Sequence, residues 1–294
     1  MNDRPMDKGD VATQREREIT EENMDVLIPG EGIFAADYAD SKRVNVLLLG
    51  ATDEGLADVI MLASFDPESK RADIISIPRD TYYERAGYSG SWLKINAVFH
   101  DGPEAMCQAV HNILLGIPIN YYAVIDYNGV ANIVDAIGGV PMDVPFYMSY
   151  RSEGITIDIP AGQQVLDGAH AVQFIRYRSG YDNGDIGRVE AQQKFVKSAA
   201  KQALGLNLPN VIKTVVANVN SDLTNRAIVY LGGKAVGMDS NNISTAMLPG
   251  TDGNIAGLSF WIRGEDYAIE QIVRAVYNGP PTATSEAAVE QEGE

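Results

Sequence analysis

The chain has 294 residues, is 45% hydrophobic, and carries a formal net charge of -17. That charge argues against a nucleic-acid partner, because phosphate backbones are held by broad basic surfaces. Cys107 is the only cysteine, which excludes an internal disulfide and argues against cysteine-ligated zinc.

Residues 1–42 read as a flexible acidic segment, with a helical turn near 14–25 at most. They begin "MNDRPMDKGDVATQ", which is too polar for a signal peptide. The sequence contains no apolar run of the ~18 residues that a membrane-crossing helix requires. Residues 43–278 form one continuous globular region, and 279–294, "GPPTATSEAAVEQEGE" from its first glycine, read as a disordered acidic tail. The globular region opens with "VNVLLLG", an apolar run suited to a buried strand. "DVIMLASFD" and "RADIISIPRD" follow as two further strands joined by a "PESK" turn. "PEAMCQAVHNILLG" has helical spacing and a glycine stop, and makes Cys107 a buried, inert thiol. "NYYAVID" is a strand, "NGVANIVDAIGG" a helix, and "VPMDVP" a short strand. "ITIDIPAGQQVL" opens with strand alternation, and "DGAHAVQFIRYR" is a helix starting at Asp167. Helices are then expected over 188–206, after Pro209, over 224–238 and over 265–277, with strands at "ISTAMLPG" and near "LSFWIR". Alternating strands and helices with hairpins predict an α/β fold, a mixed central β-sheet covered by helices on both faces.

Four stretches carry polar groups where chemistry is expected. In "LLLGATDEGLAD", Asp53 and Asp58 follow a strand end, the favoured place for ligands in such sheets. Two carboxylates there suit a hard divalent cation such as magnesium, or they are turn and cap residues. "SIPRD" ends a strand at Pro78, so Arg79 and Asp80 emerge together, as a structural pair or as site residues. "SWLKINAVF" sets Lys94 and Asn96 between bulky apolar residues. "QFIRYRSGYDNGDIGR" brings Arg176, Arg178 and Arg188 close in sequence. On a continuing helix Arg176 and Arg178 would point far apart, so they converge only if the chain becomes extended there or the helix ends, as "SGYDNGDIG" suggests. Arg188 then opens the next helix, with Gln192 one turn on. Such a cluster needs either an anion or the carboxylates of Asp182 and Asp185 to relieve its repulsion. Glycine-rich nucleotide fingerprints are absent. His100, His111 and His170 have no zinc spacing and read as ordinary helix or core-edge residues.

These stretches in this order, with "GIPINYYAVIDYNGVANIVDAIGGVPMDVP", "AGQQVLDGAHAVQFIRYR" and "GDIGRVEAQQ", resemble the LytR–CpsA–Psr family over residues 44–206, and more loosely to "MLPGTDGNIAGLSFWIRGEDYAIEQIV". The resemblance implies an α-β-α sandwich with a deep apolar cleft for a polyprenyl chain. It implies a membrane-anchored enzyme on the extracellular face of the cell membrane of Gram-positive and related bacteria, with the anchor helix preceding residue 1. The implied activity moves a glycopolymer phosphate, as in teichoic acid or capsular polysaccharide, from a polyprenyl-pyrophosphate carrier to peptidoglycan. Asp53 and Asp58 match the family's magnesium aspartates, with manganese as a substitute ion. Arg79, Arg176, Arg178 and Arg188 match the arginines that grip pyrophosphate. Lys94 and Gln192 match further head-group contacts, and Asp80 the acid of the "PRD" motif. Two departures reduce the expected positive charge: Gly55 and Leu56 stand where the family commonly has arginines, and Ala191 precedes the glutamine where another arginine is frequent. A lipid-pyrophosphate hydrolase and a non-catalytic binder of polyprenyl phosphate or wall polymer fit the same residues. The apolar faces of "NGVANIVDAIGG" and "QKFVKSAAKQAL" are read as core in preference to cleft wall.

Overall fold

The computed structural model describes residues 27–31, 41–152, 154–182, 184–205 and 208–278. Strands β1 (Val44–Ala51), β2 (Ala57–Asp66) and β3 (Arg71–Ser76) form an antiparallel meander. Two 3-10 segments, Gly90–Leu93 and Ile95–Asp101, lead into α1 (Pro103–Ile113), β4 (Tyr121–Ile125) and α2 (Tyr127–Ala136). Four short strands follow: β5 (Val140–Val144), β6 (Met148–Ser152), β7 (Ile155–Ile159) and β8 (Gly162–Leu166). Helices α3 (Gly168–Arg176), α4 (Asp185–Leu204) and α5 (Leu208–Asn218) precede the two-residue β9 (Asn220–Ser221). The rest is α6 (Asn225–Ala235), β10 (Ile243–Met247), β11 (Gly250–Ile255), β12 (Leu258–Arg263) and α7 (Asp266–Asn278).

The central sheet has the order β10-β3-β2-β1-β4-β9, with β1–β4 and β3–β10 parallel and the other pairs antiparallel. Strand alternation assigns its two faces. Leu47 and Leu49 of β1, with Ile60, Leu62 and Ile75, pack against Cys107 and Val110 of α1 and Ile269 and Val273 of α7. Leu48, Val59, Met61 and Ala63 face the other way, toward Val196, Ala200 and Leu204 of α4. Each fully buried aliphatic side chain contributes ~1.5–3 kcal/mol, so both faces need their helices. A second core joins α2, α3 and α4 to the β5–β8 and β6–β7 pairs through Val134, Ile157, Phe174 and Phe195.

The fold is the expected mixed sheet with helices on both faces, and Cys107 is buried, its thiol pushed up to about 12 by burial and nearby carboxylates. Three local expectations change, and one segment that carried none is defined. "ITIDIPAGQQVL" is two strands in two different two-stranded sheets, because Pro160 lacks a donor and Gly162 turns at φ 104°. The helix expected from 188 begins at Asp185, so Arg188 lies one turn inside it. "SWLKINAVF" forms 3-10 turns, a segment for which sequence periodicity offers no signal. Residues 27–31, placed in the flexible segment, are tied down: Ile28 N donates to Ile119 O at 2.9 Å and Ile119 N donates back at 3.0 Å. The rest of the N-terminal segment up to residue 40, including the turn near 14–25, and the tail from 279 lie outside the described residues.

Candidate active site

Each site residue is placed by a definable piece of backbone. Asp53 follows the end of β1, and Asp58 is the second residue of β2. After β3, Thr81 donates to Pro78 O through both its amide (3.0 Å) and its hydroxyl (2.6 Å), closing a tight turn that presents Arg79 and Asp80. Neighbours clamp that turn: Asn96 N donates to Arg79 O at 3.1 Å, and Trp261 N to Asp80 O at 3.0 Å. Lys94 and Asn96 are fixed beside it for that reason. Asp126 caps α2 by accepting from Gly129 N at 2.7 Å, which sets Tyr127 at the mouth of β4. Gly168 abuts the Ala131 carbonyl of α2, so any side chain there would push α3 away. At its far end α3 stops at Arg176, and Tyr177 is extended at φ -66° and ψ 131°. The helix end thus turns Arg176 and Arg178 into one space, as the spacing argument requires.

These residues border a polar cavity of about 850 Å³. Asp53, Asp58, Arg79, Asp80, Lys94, Arg176 and Arg178 all line it. Asp58 is its electrostatic centre: Arg79 Nη1 donates to Oδ1 at 2.7 Å and Arg178 Nη2 to Oδ2 at 2.6 Å. Burial alone would raise the Asp58 pKa, but Arg79, then Arg178 and Arg188, outweigh it and hold the carboxyl below its ordinary value of 3.8. Lys94 Nζ lies 3.1 Å from Asp80 Oδ1, and Arg79 Nε lies 3.8 Å from the same oxygen. That Nε is buried without a hydrogen-bond partner. Arg176 packs its guanidinium over the Tyr127 ring, 4.6 Å from the centroid, and has no carboxylate partner among the described residues. Burial first, then Asp58, raises the Tyr127 pKa, so its phenol stays a neutral donor.

Arg188 and Gln192 stand apart from this lining. Arg188 is buried behind the cavity, 2.9 Å from Asp185 Oδ1, and its Nε has no hydrogen-bond partner. Burial first, with Arg79 and Arg178 adding to it and Asp185 opposing, lowers its pKa, yet a guanidinium stays charged. Gln192 donates to Ile175 O at 3.2 Å and borders a second, apolar cavity of about 730 Å³. That cavity runs between the sheet and α2, α4, α5 and α6, walled by residues such as Leu48, Val130, Ile133, Phe195, Ala199 and Val215. The helix faces read as core therefore form the wall of a cleft, although Val134 and Phe195 also belong to the second core. Asp58 and Tyr127 line both cavities and mark their junction.

The two departures in charge have different consequences. Ala191 packs in the second core, whereas Leu56 lines the polar cavity where a cation is frequent in the family. Gly55 turns at φ 73°, and a β-carbon there would meet His100 Nδ1 at 3.0 Å. His100, read as an ordinary edge residue, is thus part of the cavity wall, as are Tyr127, Trp92, Tyr150 and Glu54. An arginine-rich loop advertises itself in sequence; an aromatic ring brought in from a distant hairpin does not. His111 and His170 stay outside it, bonded respectively to Ile117 O at 2.8 Å and Asp167 Oδ1 at 2.7 Å.

Because the folded state holds Asp58 more acidic than the unfolded chain, its stabilisation is complete above pH 3.8 and is lost as pH falls through the folded-state value. Asp58→Asn is expected to cost on the order of 2 kcal/mol at pH 7, less than the ~3–5 kcal/mol of a fully buried pair because Arg178 is half exposed. Thermal melts from pH 7 downward check this: the deficit should narrow as the pH passes below 3.8.

A mixed α/β fold with a guanidinium-lined cavity opening into an apolar one defines a protein suited to an amphiphile with an anionic head. The chain belongs to the LytR_cpsA_psr family, whose family model matches residues 7–275. It is 32% identical over 201 residues to the polyisoprenyl-teichoic acid–peptidoglycan teichoic acid transferase TagU of Bacillus mycoides, a match spanning 66% of this chain and 64% of that one. The chain covers less than two thirds of the length of such relatives. Among solved structures, TagV of B. subtilis superimposes with a TM-score of 0.69 at 24% identity, covering 81% of this chain and 96% of that one. TagT bound to LIIa-WTA matches with a TM-score of 0.66 at 19% identity, covering 90% of this chain and 94% of that one. Both likenesses establish a shared fold.

Proposed function

We propose that this protein transfers a glycopolymer phosphate, of teichoic-acid or polysaccharide type, from a polyprenyl-pyrophosphate carrier to peptidoglycan at the outer face of the cell membrane. The observation that carries this reading is the junction at Asp58 and Tyr127, where the cationic cavity meets the apolar one. A pyrophosphate lodged among Arg79, Arg176 and Arg178 has its isoprenoid tail directed along the sheet. The relative named a teichoic acid transferase supports the same chemistry.

In the proposed step, an acceptor sugar hydroxyl attacks the phosphorus that bears the glycopolymer. A new P–O bond forms, the bond to the bridging oxygen breaks, and polyprenyl phosphate leaves. Negative charge grows on that bridging oxygen, and fixed guanidinium groups stabilise it without reorganisation. Arg79, Arg176 and Arg178 line the cavity and offer guanidinium N–H groups to phosphate, Arg176 having no carboxylate partner among the described residues. Arg188, buried behind them, contributes long-range positive potential, and Gln192 bounds the tail side of the junction. Asp58 is excluded as the base because both its oxygens are held by guanidiniums; of the two carboxylates that remain on the cavity wall, Asp53 is assigned to the metal, so Asp80 accepts the hydroxyl proton.

The carboxylates fit a hard divalent cation. Asp53 is exposed on the cavity wall with no hydrogen bond or ion pair among the described residues, and each Asp58 oxygen keeps a further lone pair. Magnesium takes one or two carboxylates and completes its sphere with phosphate oxygens and water. Magnesium, or manganese in its place, held by Asp53 and Asp58 would neutralise phosphate charge.

The test is incubation of the protein with lipid-linked donor and peptidoglycan. Polymer incorporated in step with polyprenyl phosphate released is the expected result. Release without incorporation identifies a hydrolase, and lipid binding without release identifies a binder; either outcome overturns the transfer reading.

A further inference from the structure

One row of rings at the rim of the polar cavity has no part in the scheme above. Trp92 is 45% exposed and Tyr88 42% exposed, although both are large apolar surfaces. Their ring centroids are 6.0 Å apart, and His100 continues the row 4.9 Å beyond Trp92. Trp92 and His100 line the cavity itself. The row is held rigidly from behind by Arg85, whose guanidinium lies 3.9 Å from the Tyr88 centroid. Arg85 also donates to Trp92 O at 2.6 Å and to Asp101 Oδ2 at 2.8 Å, so its fork ties three elements of the rim together. Across the cavity, Tyr150 of β6 is likewise exposed.

Leaving such rings in water forgoes burial energy of ~25 cal/mol per Å². A fold that nonetheless braces them in place gains only when something covers them. Aromatic side chains combine a flat apolar face with a polar edge, which suits a partner that is apolar on one face and hydroxylated around its rim. A pyranose ring is such a partner: its C–H face packs on the indole, and its equatorial hydroxyls reach outward.

We propose that Tyr88, Trp92 and His100 form the subsite for the acceptor, an N-acetylated hexosamine of a glycan strand. The identity of the occupant rests on the transfer reading above; the existence of a sugar platform does not. Placement argues for the acceptor over the donor. The donor's tail occupies the side beyond Asp58 and Tyr127, whereas Trp92 precedes Lys94 by two residues, and Lys94 is paired at 3.1 Å with Asp80. A sugar stacked on Trp92 thus shares its cavity with Asp80, the carboxylate assigned as base.

The chain has only two tryptophans, Trp261 being buried, so comparison with Trp92→Ala assigns any emission change to the platform. Titration with the tetramer of N-acetylglucosamine is expected to give a saturable change in tryptophan emission. Trp92→Ala should remove that change and weaken binding by ~10–100-fold in calorimetry. Trp92→Phe, which keeps a stacking face, should retain most of the calorimetric affinity. Absence of saturable binding, binding unaltered in Trp92→Ala, or a response confined to a glycerol phosphate oligomer would each overturn the proposal. A polyprenyl phosphate thermal shift run in parallel separates the two readings. Lipid binding without tetramer binding sinks the platform alone, and tetramer binding without lipid binding upholds it while removing the transfer reading.

Discussion

Arg79→Ala is expected to slow polymer transfer by ~10²–10³-fold, the ~2.7–4 kcal/mol typical of losing one preorganised donor to developing charge. The reason is positional. Arg79 is pinned by Asp58 through Nη1, and the turn that carries it is clamped by Asn96 N and Trp261 N. Its guanidinium is therefore held at a fixed place on the cavity wall and does not reorganise during the reaction. Arg79→Lys keeps the charge but not the planar fork, so it should recover only part of the loss. Initial rates over a donor series check this, with kcat falling in proportion to kcat/KM when the contact is made chiefly in the transition state. Melting curves belong alongside, because the same substitution leaves Asp58 with Arg178 as its one direct ion-pair partner among the described residues. A variant that folds and transfers at the wild-type rate removes Arg79 from the mechanism.

How far the sequence leads to such a site depends on the range of the interactions that build it. Apolar runs and glycine stops predict β1 to β4, α1 and α2, because each is specified by its own residues. The convergence of Arg176 and Arg178 is legible because a helix geometry that forbids it must end there, and α3 does end at Arg176. Asp58 is legible as a carboxylate near a strand end, but not as the acceptor that unites two arginines 21 and 120 positions away. Such pairings arise only when β2, β3 and the chain after α3 come together. The β5–β8 pairing is hidden for a related reason: its partners are not sequential, so one alternating stretch serves two sheets, β7 closing a local hairpin with β6 while β8 returns to β5. The apolar cavity is the hardest feature to read. A residue such as Ile133 or Phe195 has the same pattern whether the facing helix fills the gap or leaves it open, and only the separation of α2, α4, α5 and α6 from the sheet decides.

That separation makes the second large effect testable. Ala199 of α4 lines the apolar cavity of about 730 Å³, and Ala199→Trp places an indole where an isoprenoid tail is proposed to lie. Protein interiors leave few voids larger than a water molecule, so a channel of this size running up to a cluster of cations is a binding space, not a packing fault. Displacing one isoprene unit forfeits about five carbons at ~0.8 kcal/mol each, or ~10³-fold in affinity. For the unaltered protein, polyprenyl phosphate at ~100 times its Kd adds ~2.7 kcal/mol of stability by mass action. In a domain of this size that raises Tm by ~5–11 °C. Ala199→Trp should abolish the rise while leaving the lipid-free Tm near its original value, since the new ring enters space rather than packed core. Inorganic pyrophosphate, which needs only Arg79, Arg176 and Arg178, should bind the variant as before. Retention of the full lipid shift in Ala199→Trp would place the tail elsewhere and separate the two cavities functionally. Loss of both ligands together would mean that α4 has moved and carried the head-group site with it.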